Sequence, residues 1–158
     1  MFLLGAILVM SFDIGPTVGA LVPVQEEGDP WRTCFTFGME MRYGLPALDI
    51  EGELLFSELG IDPDSSRGYT YTMVPITIGV GKQLGFLRYA AGPALYPIEA
   101  KQDIIEGLQA VWNGTFPGMY VSVGRDIPVG SDNIDLKAKF NIIDFDGLWI
   151  GVTASYLF

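Results

Sequence analysis

The chain has 158 residues, of which 49% are apolar, and it carries a formal net charge of −10. That length suits one domain, and the acidic balance argues against a nucleic-acid binder, which rewards a basic surface. Histidine is absent and Cys34 is the single cysteine, which removes the usual general base, the commonest zinc ligand, an intrachain disulfide and a cysteine metal cluster.

Residues 1–10, MFLLGAILVM, are apolar but lack a basic start and a following small-residue cleavage site. They read as a secretion-signal remnant or an extension of the first strand, and residues 11–158 as the folded domain. From Phe12 the apolar residues alternate: Phe12, Ile14, Val18, Ala20 and Val22 oppose Asp13, Gly15, Thr17 and Gly19, with an irregularity predicted at Pro16. A polar loop, residues 25–32, follows, and its Trp31 suits a membrane interface. In the second strand Phe35, Phe37, Met39, Met41 and Tyr43 alternate with Thr36, Gly38, Glu40 and Arg42. The third sets Ile50, Gly52, Leu54 and Phe56 against Glu51, Glu53 and Ser57.

Beyond a second polar loop at residues 62–68, the fourth strand covers residues 69–81, with Val74, Ile76, Ile78 and Val80 on its apolar side. The fifth places Leu87, Tyr89, Ala91 and Leu95 opposite Arg88, Gly92 and Tyr96. The third long loop then departs from alternation. Ile104, Ile105, Leu108, Val111 and Trp112 recur at helical spacing, which predicts a short amphipathic helix ending at Asn113-Gly114. The sixth strand carries Met119, Val121 and Val123 outward. In the seventh, Ile134, Leu136, Ala138, Phe140 and Ile142 alternate with Asp135, Lys137, Lys139 and Asn141. The eighth runs to Phe158, with Leu148, Ile150, Val152, Ala154 and Tyr156 on the same parity.

Eight strands of about nine to eleven residues match the length of a tilted membrane-spanning strand. No apolar run approaches the roughly 20 residues of a membrane helix, so the mean hydropathy of +0.34 is spread over short alternating segments. Alternation alone does not say which face is inside, and a soluble barrel with an apolar lumen would alternate in the same way. The mid-strand charges decide it: a basic residue facing lipid near the midplane costs roughly 2–4 kcal/mol. Asp13, Glu40, Glu51, Glu53 and Asp135 should therefore share the lumen with Arg42, Arg88, Lys137 and Lys139, pairing with one another in a filled interior.

The order of these strands resembles the small outer-membrane-protein β-barrel superfamily of the OmpA and OmpX type. MVPITIGVG looks like that family's V-P-x-x-x-G strand, and FLRYAAGPALY like its R-x-Y-x-x-x-G strand. The resemblance implies an all-β, eight-stranded antiparallel up-and-down transmembrane barrel in a bacterial outer membrane, with long loops outside. It also implies that Tyr156 and Phe158 form the closing-strand signal read by the barrel-assembly machinery. The expected partners are outer-membrane lipid, that machinery and other envelope proteins docking on the third loop through Ile104, Ile105, Leu108, Val111 and Trp112. No cofactor, metal or catalytic residue is expected, and the role is structural or surface-interacting, alone or in an envelope complex. The alternatives are a lipid-modifying enzyme, whose acyl-modifying relatives use a histidine that this chain lacks, and a soluble carrier of a small apolar ligand.

Overall fold

The computed structural model, described for residues 10–24, 31–61, 69–105, 108–144 and 147–158, is an antiparallel sheet closed into a barrel of eight staves. In chain order the strands are β1 (Ser11–Pro23), β2 (Trp31–Arg32), β3 (Cys34–Gly44), β4 (Asp49–Ile61), β5 (Tyr69–Met73), β6 (Ile76–Leu84), β7 (Leu87–Ile105), β8 (Leu108–Val129), β9 (Asp132–Ile143) and β10 (Gly147–Leu157). β2 and β3 are two parts of one stave along β4; β5 and β6 are two parts of another, between β4 and β7. Closure comes from β1 and β10, which pair from Thr17↔Ser155 to Pro23↔Trp149. Phe158 lengthens that seam by exchanging both backbone hydrogen bonds with Ile14, at 3.1 and 3.2 Å. Apart from Met10, the N-terminal apolar segment lies outside the described residues.

The prolines are accommodated locally. The Ile14–Phe158 bonds and the Thr17↔Ser155 pair keep one register, so β1 runs through Pro16 without a bulge. Pro16 has no N–H to donate, and Gly15 beside it has no Cβ: the Tyr156 carbonyl oxygen lies 1.6 Å from where one would stand. At Val74-Pro75 the predicted fourth strand divides into β5 and β6. The stave continues because the Pro75 carbonyl accepts from the Leu55 N–H and the Val74 N–H donates to the Pro97 carbonyl, both at 2.9 Å.

The helix predicted through Ile104, Ile105, Leu108, Val111 and Trp112 is replaced by strand. β7 and β8 form one ladder from Arg88↔Gly124 up to Ile105↔Leu108, with a register shift between Asp103 and Ile105. The physical reason is that two long arms satisfy each other's backbone groups, whereas an isolated helix shorter than about 12 residues is marginal in water. Because β9 pairs with β8 only from Gly118 onward, the upper part of this hairpin stands above the β9 side of the rim.

Alternation fixes what each face carries. Val18, Phe37, Met39, Leu54, Ile78, Val80, Val121, Phe140 and Val152 face outward and are exposed all round the barrel, while charged and hydroxyl side chains on the other parity are buried within it. Toward the long-loop end the inward parity changes character: Lys137, Lys139 and Asn141 are followed by Ile143. There Leu21, Cys34, Leu59, Met73, Tyr96, Ile143 and Trp149 form an apolar plug. Trp31, expected at a membrane interface, instead packs against this plug, its ring 5.4 Å from Tyr71 and 6.3 Å from Trp149.

Candidate functional site

Beneath the plug, four carboxylates (Glu40, Glu51, Glu53, Asp135) and four cations (Arg42, Arg88, Lys137, Lys139) are buried together. Lys137 is the hub. Its Nζ donates to Glu40 Oε1 at 2.6 Å and to Glu53 Oε1 at 3.1 Å, and lies 3.3 Å from Asp135 Oδ2. Lys139 donates to the other Glu53 oxygen at 2.7 Å and sits 4.6 Å from the centre of the Tyr120 ring. The second Glu40 oxygen accepts from Ser155 at 2.6 Å, and that hydroxyl also meets Thr17 at 2.8 Å.

Two arginines carry the network to the short-turn end. Arg42 bonds Asp135 and holds both oxygens of Asp126, at 2.9 and 3.1 Å. Arg88 bonds Asp49 and reaches Glu51 Oε2 at 3.1 Å, while Tyr120 donates to Glu51 Oε1 at 2.9 Å. The sequence makes room for these long groups. A Cβ on Gly79 would stand 2.5 Å from both the Tyr120 hydroxyl and the Ala91 carbonyl, so only glycine lets that phenol lie across the lumen.

The carriers come from β3 (Glu40, Arg42), β4 (Glu51, Glu53), β7 (Arg88) and β9 (Asp135, Lys137, Lys139), each on the inward parity. Of the nine residues singled out from the sequence, eight gather here. Asp13 does not: it is half-buried opposite Arg42 in the β1–β3 ladder and makes no ion pair among the described residues. Sequence reading missed Asp49 and Asp126. Both were legible by extension, since Asp49 continues the Glu51 and Glu53 parity and Asp126 that of Tyr120 and Ser122.

The chemistry of this arrangement is cohesive. Glu40 and Asp135 have no solvent exposure, and Ser155, whose hydroxyl bonds Glu40, is 1% exposed. Each buried charge of the cluster faces an opposite charge within it or at its short-turn end. At the short-turn end, Tyr156 and Phe158 are exposed with rings 6.3 Å apart. Hydrogen bonds from Tyr156 and Ser131 hold the Asp132 carboxyl, at the β8–β9 turn, below the usual carboxylate range.

No family model matches the chain, and a comparison with curated proteins finds no match. Solved structures do match in fold. Neisserial surface protein A (NspA) superposes with a TM-score of 0.62 at 11% identity, over 94% of this chain and 97% of that one. Ail, the attachment invasion locus protein of Yersinia pestis, gives 0.56 at 16% identity, again over 94% and 97%. The N-terminal β-barrel domain of Pseudomonas aeruginosa OprF gives 0.55 at 10% identity, over 92% and 97%. The chain thus has the fold of the small eight-stranded outer-membrane barrels.

Proposed function

We propose that this chain is an integral outer-membrane β-barrel with a non-catalytic, surface-interacting role, its interior charge network serving to hold the barrel closed. One observation carries the reading: a band of exposed Val, Ile, Leu, Met and Phe encircles the staves while Lys137, Lys139 and the mid-strand carboxylates are sealed inside. Water-soluble monomers rarely expose a contiguous apolar patch beyond about 300–600 Å². Lipid is the solvent that suits such a band, and an edgeless barrel leaves no ladder group unpaired within it.

The fold likeness to barrels of bacterial outer membranes supports that location. Tyr156 and Phe158, at the end of the closing strand, fit the signal read by the barrel-assembly machinery. A role within an envelope complex is favoured by the tall β7–β8 hairpin, which offers a partner the surface that the sequence suggested as a helix.

The testing experiment is fractionation of the expressed protein followed by gel migration with and without heating. The expected result is membrane partition, with extraction by detergent and a mobility shift on boiling. Recovery as a soluble monomer without detergent would overturn the reading. For the absence of catalysis, incubation with lipopolysaccharide or phospholipid should leave the acyl pattern unchanged in mass spectra.

A further inference from the structure

Two adjoining cavities open at the long-loop end, of about 190 and 460 Å³, and they share Trp31, Ile98 and Phe116. The larger falls in the usual range for small-molecule sites, about 300–1,000 Å³. Its sides are aromatic. Trp31, Tyr71 and Tyr69 follow one another along one side, Trp31 and Tyr71 T-shaped at 5.4 Å and Tyr71 and Tyr69 tilted at 5.9 Å, and Trp112 and Phe116 lie 6.2 Å apart along the other. Gly114, between these last two in the strand, keeps them close: a Cβ there would meet the Trp112 ring at 2.7 Å and the Phe116 ring at 3.1 Å.

Among the described residues that line the two cavities, charge has one sign. Asp144, at the lip of the smaller cavity, is the only charged residue among those lining either. Lys101 lies on the other face of β7, paired with Glu99 at 2.5 Å, and Arg32 alternates away from Trp31. An anion would meet no cation among the described lining residues, while a neutral apolar body would pack on the rings but leave the carboxylate unused. Aromatic faces with a carboxylate at the rim suit a cation that is poorly hydrated and carries apolar groups.

We infer that this cleft is a binding site for quaternary ammonium groups, either on a soluble organic cation or on a choline-bearing lipid head. The site depends on the barrel mouth alone and holds whichever membrane or partner the barrel serves. Ring faces from Trp31, Trp112 and Phe116 surround the methyl groups, and Asp144 balances the charge.

The chain's three tryptophans, Trp31, Trp112 and Trp149, all line the cleft and report on it directly. The test is a fluorescence titration of the full chain, folded in maltoside detergent, with benzyltrimethylammonium chloride. A saturable change with half-saturation below about 1 mM is expected. Benzyl alcohol and benzenesulfonate should bind at least about tenfold more weakly, as should the cation to Trp112→Leu, whose other two tryptophans still report. Asp144→Asn should weaken the cation about fivefold and leave benzyl alcohol unchanged. Heat-dependent gel migration confirms that each variant is folded. Repeating the titration in phosphatidylglycerol and phosphatidylcholine vesicles separates the two sources: loss of probe binding only in the latter assigns the lipid head, and equal binding in both a soluble cation. Equal affinity for benzyl alcohol, tighter binding of benzenesulfonate, or no saturable response in folded protein would overturn the assignment.

Discussion

Lys137 is the side chain on which most of the interior depends, because three carboxylates lie within 3.3 Å of its Nζ. Truncating it to an apolar isostere takes the nearest cation from the fully buried Glu40 and one of two from Glu53. Removing one partner of a buried pair costs about 3–5 kcal/mol, so Lys137→Met should lower the unfolding free energy of the detergent-folded barrel, read from its urea transition, by that much. Adding Glu40→Gln to Lys137→Met should recover part of the loss, since Glu53 keeps Lys139 and Arg42 keeps Asp126 and Asp135 while the stranded carboxylate is gone. Asp13→Asn, half-buried and outside the network, should change stability by no more than about 0.5 kcal/mol. Gly79→Ala tests space rather than charge: its methyl would collide with the Tyr120 hydroxyl and the neighbouring backbone. The expected cost is about 1–3 kcal/mol by the same unfolding measurement, and an unchanged midpoint would show that Tyr120 does not cross the lumen at that point.

Among the elements, the β7–β8 hairpin separates what extends the barrel from what builds it. Its ladder continues past the rim, but the contacts with β9 begin only at Gly118. Replacing residues 102–110 by Asn-Gly would join Lys101 to Val111, which already face each other in register. The shortened chain should keep its heat-dependent gel shift and its unfolding free energy within about 1 kcal/mol, because trimmed tips carry little of the core. Loss of the shift would mean that the tip is needed for closure. This hairpin also marks where sequence ceased to be a guide. Strands such as residues 134–142 were legible because their two faces meet different solvents, which imposes a strict period. Above the rim that contrast fades, and Ile104, Ile105, Leu108, Val111 and Trp112 fit a helical stripe as well as two strand arms. The plug escaped notice for a related reason. Charge told the inward parity apart in mid-strand, but Leu59, Ile143 and Trp149 are apolar on that same parity, and only three-dimensional closure shows them meeting across the mouth.

Across the whole molecule, the outward band and the sealed charges make one prediction that a water-soluble barrel cannot share. Val152 lies on β10 with its side chain 60% exposed, opposite Ala138 of β9 and Ala20 of β1, well inside both ladders. In water an arginine there would be a solvated surface residue, tolerated within about 0.5 kcal/mol. In a bilayer the same arginine near the midplane costs roughly 2–4 kcal/mol, falling to about 0–1 kcal/mol near the interfaces. Val152→Arg should therefore destabilise the vesicle-folded protein by that larger amount, and Phe140→Arg, outward on β9, by a similar one. Phe86→Arg, at the short-turn end, should cost under about 1 kcal/mol. Reversible denaturant unfolding in lipid vesicles, followed by the tryptophan fluorescence of the barrel mouth, measures all three. A cost that rises toward the middle of the staves identifies lipid as the outer solvent, whereas equal small effects at all three positions would require water there and return the apolar band to a search for a protein partner.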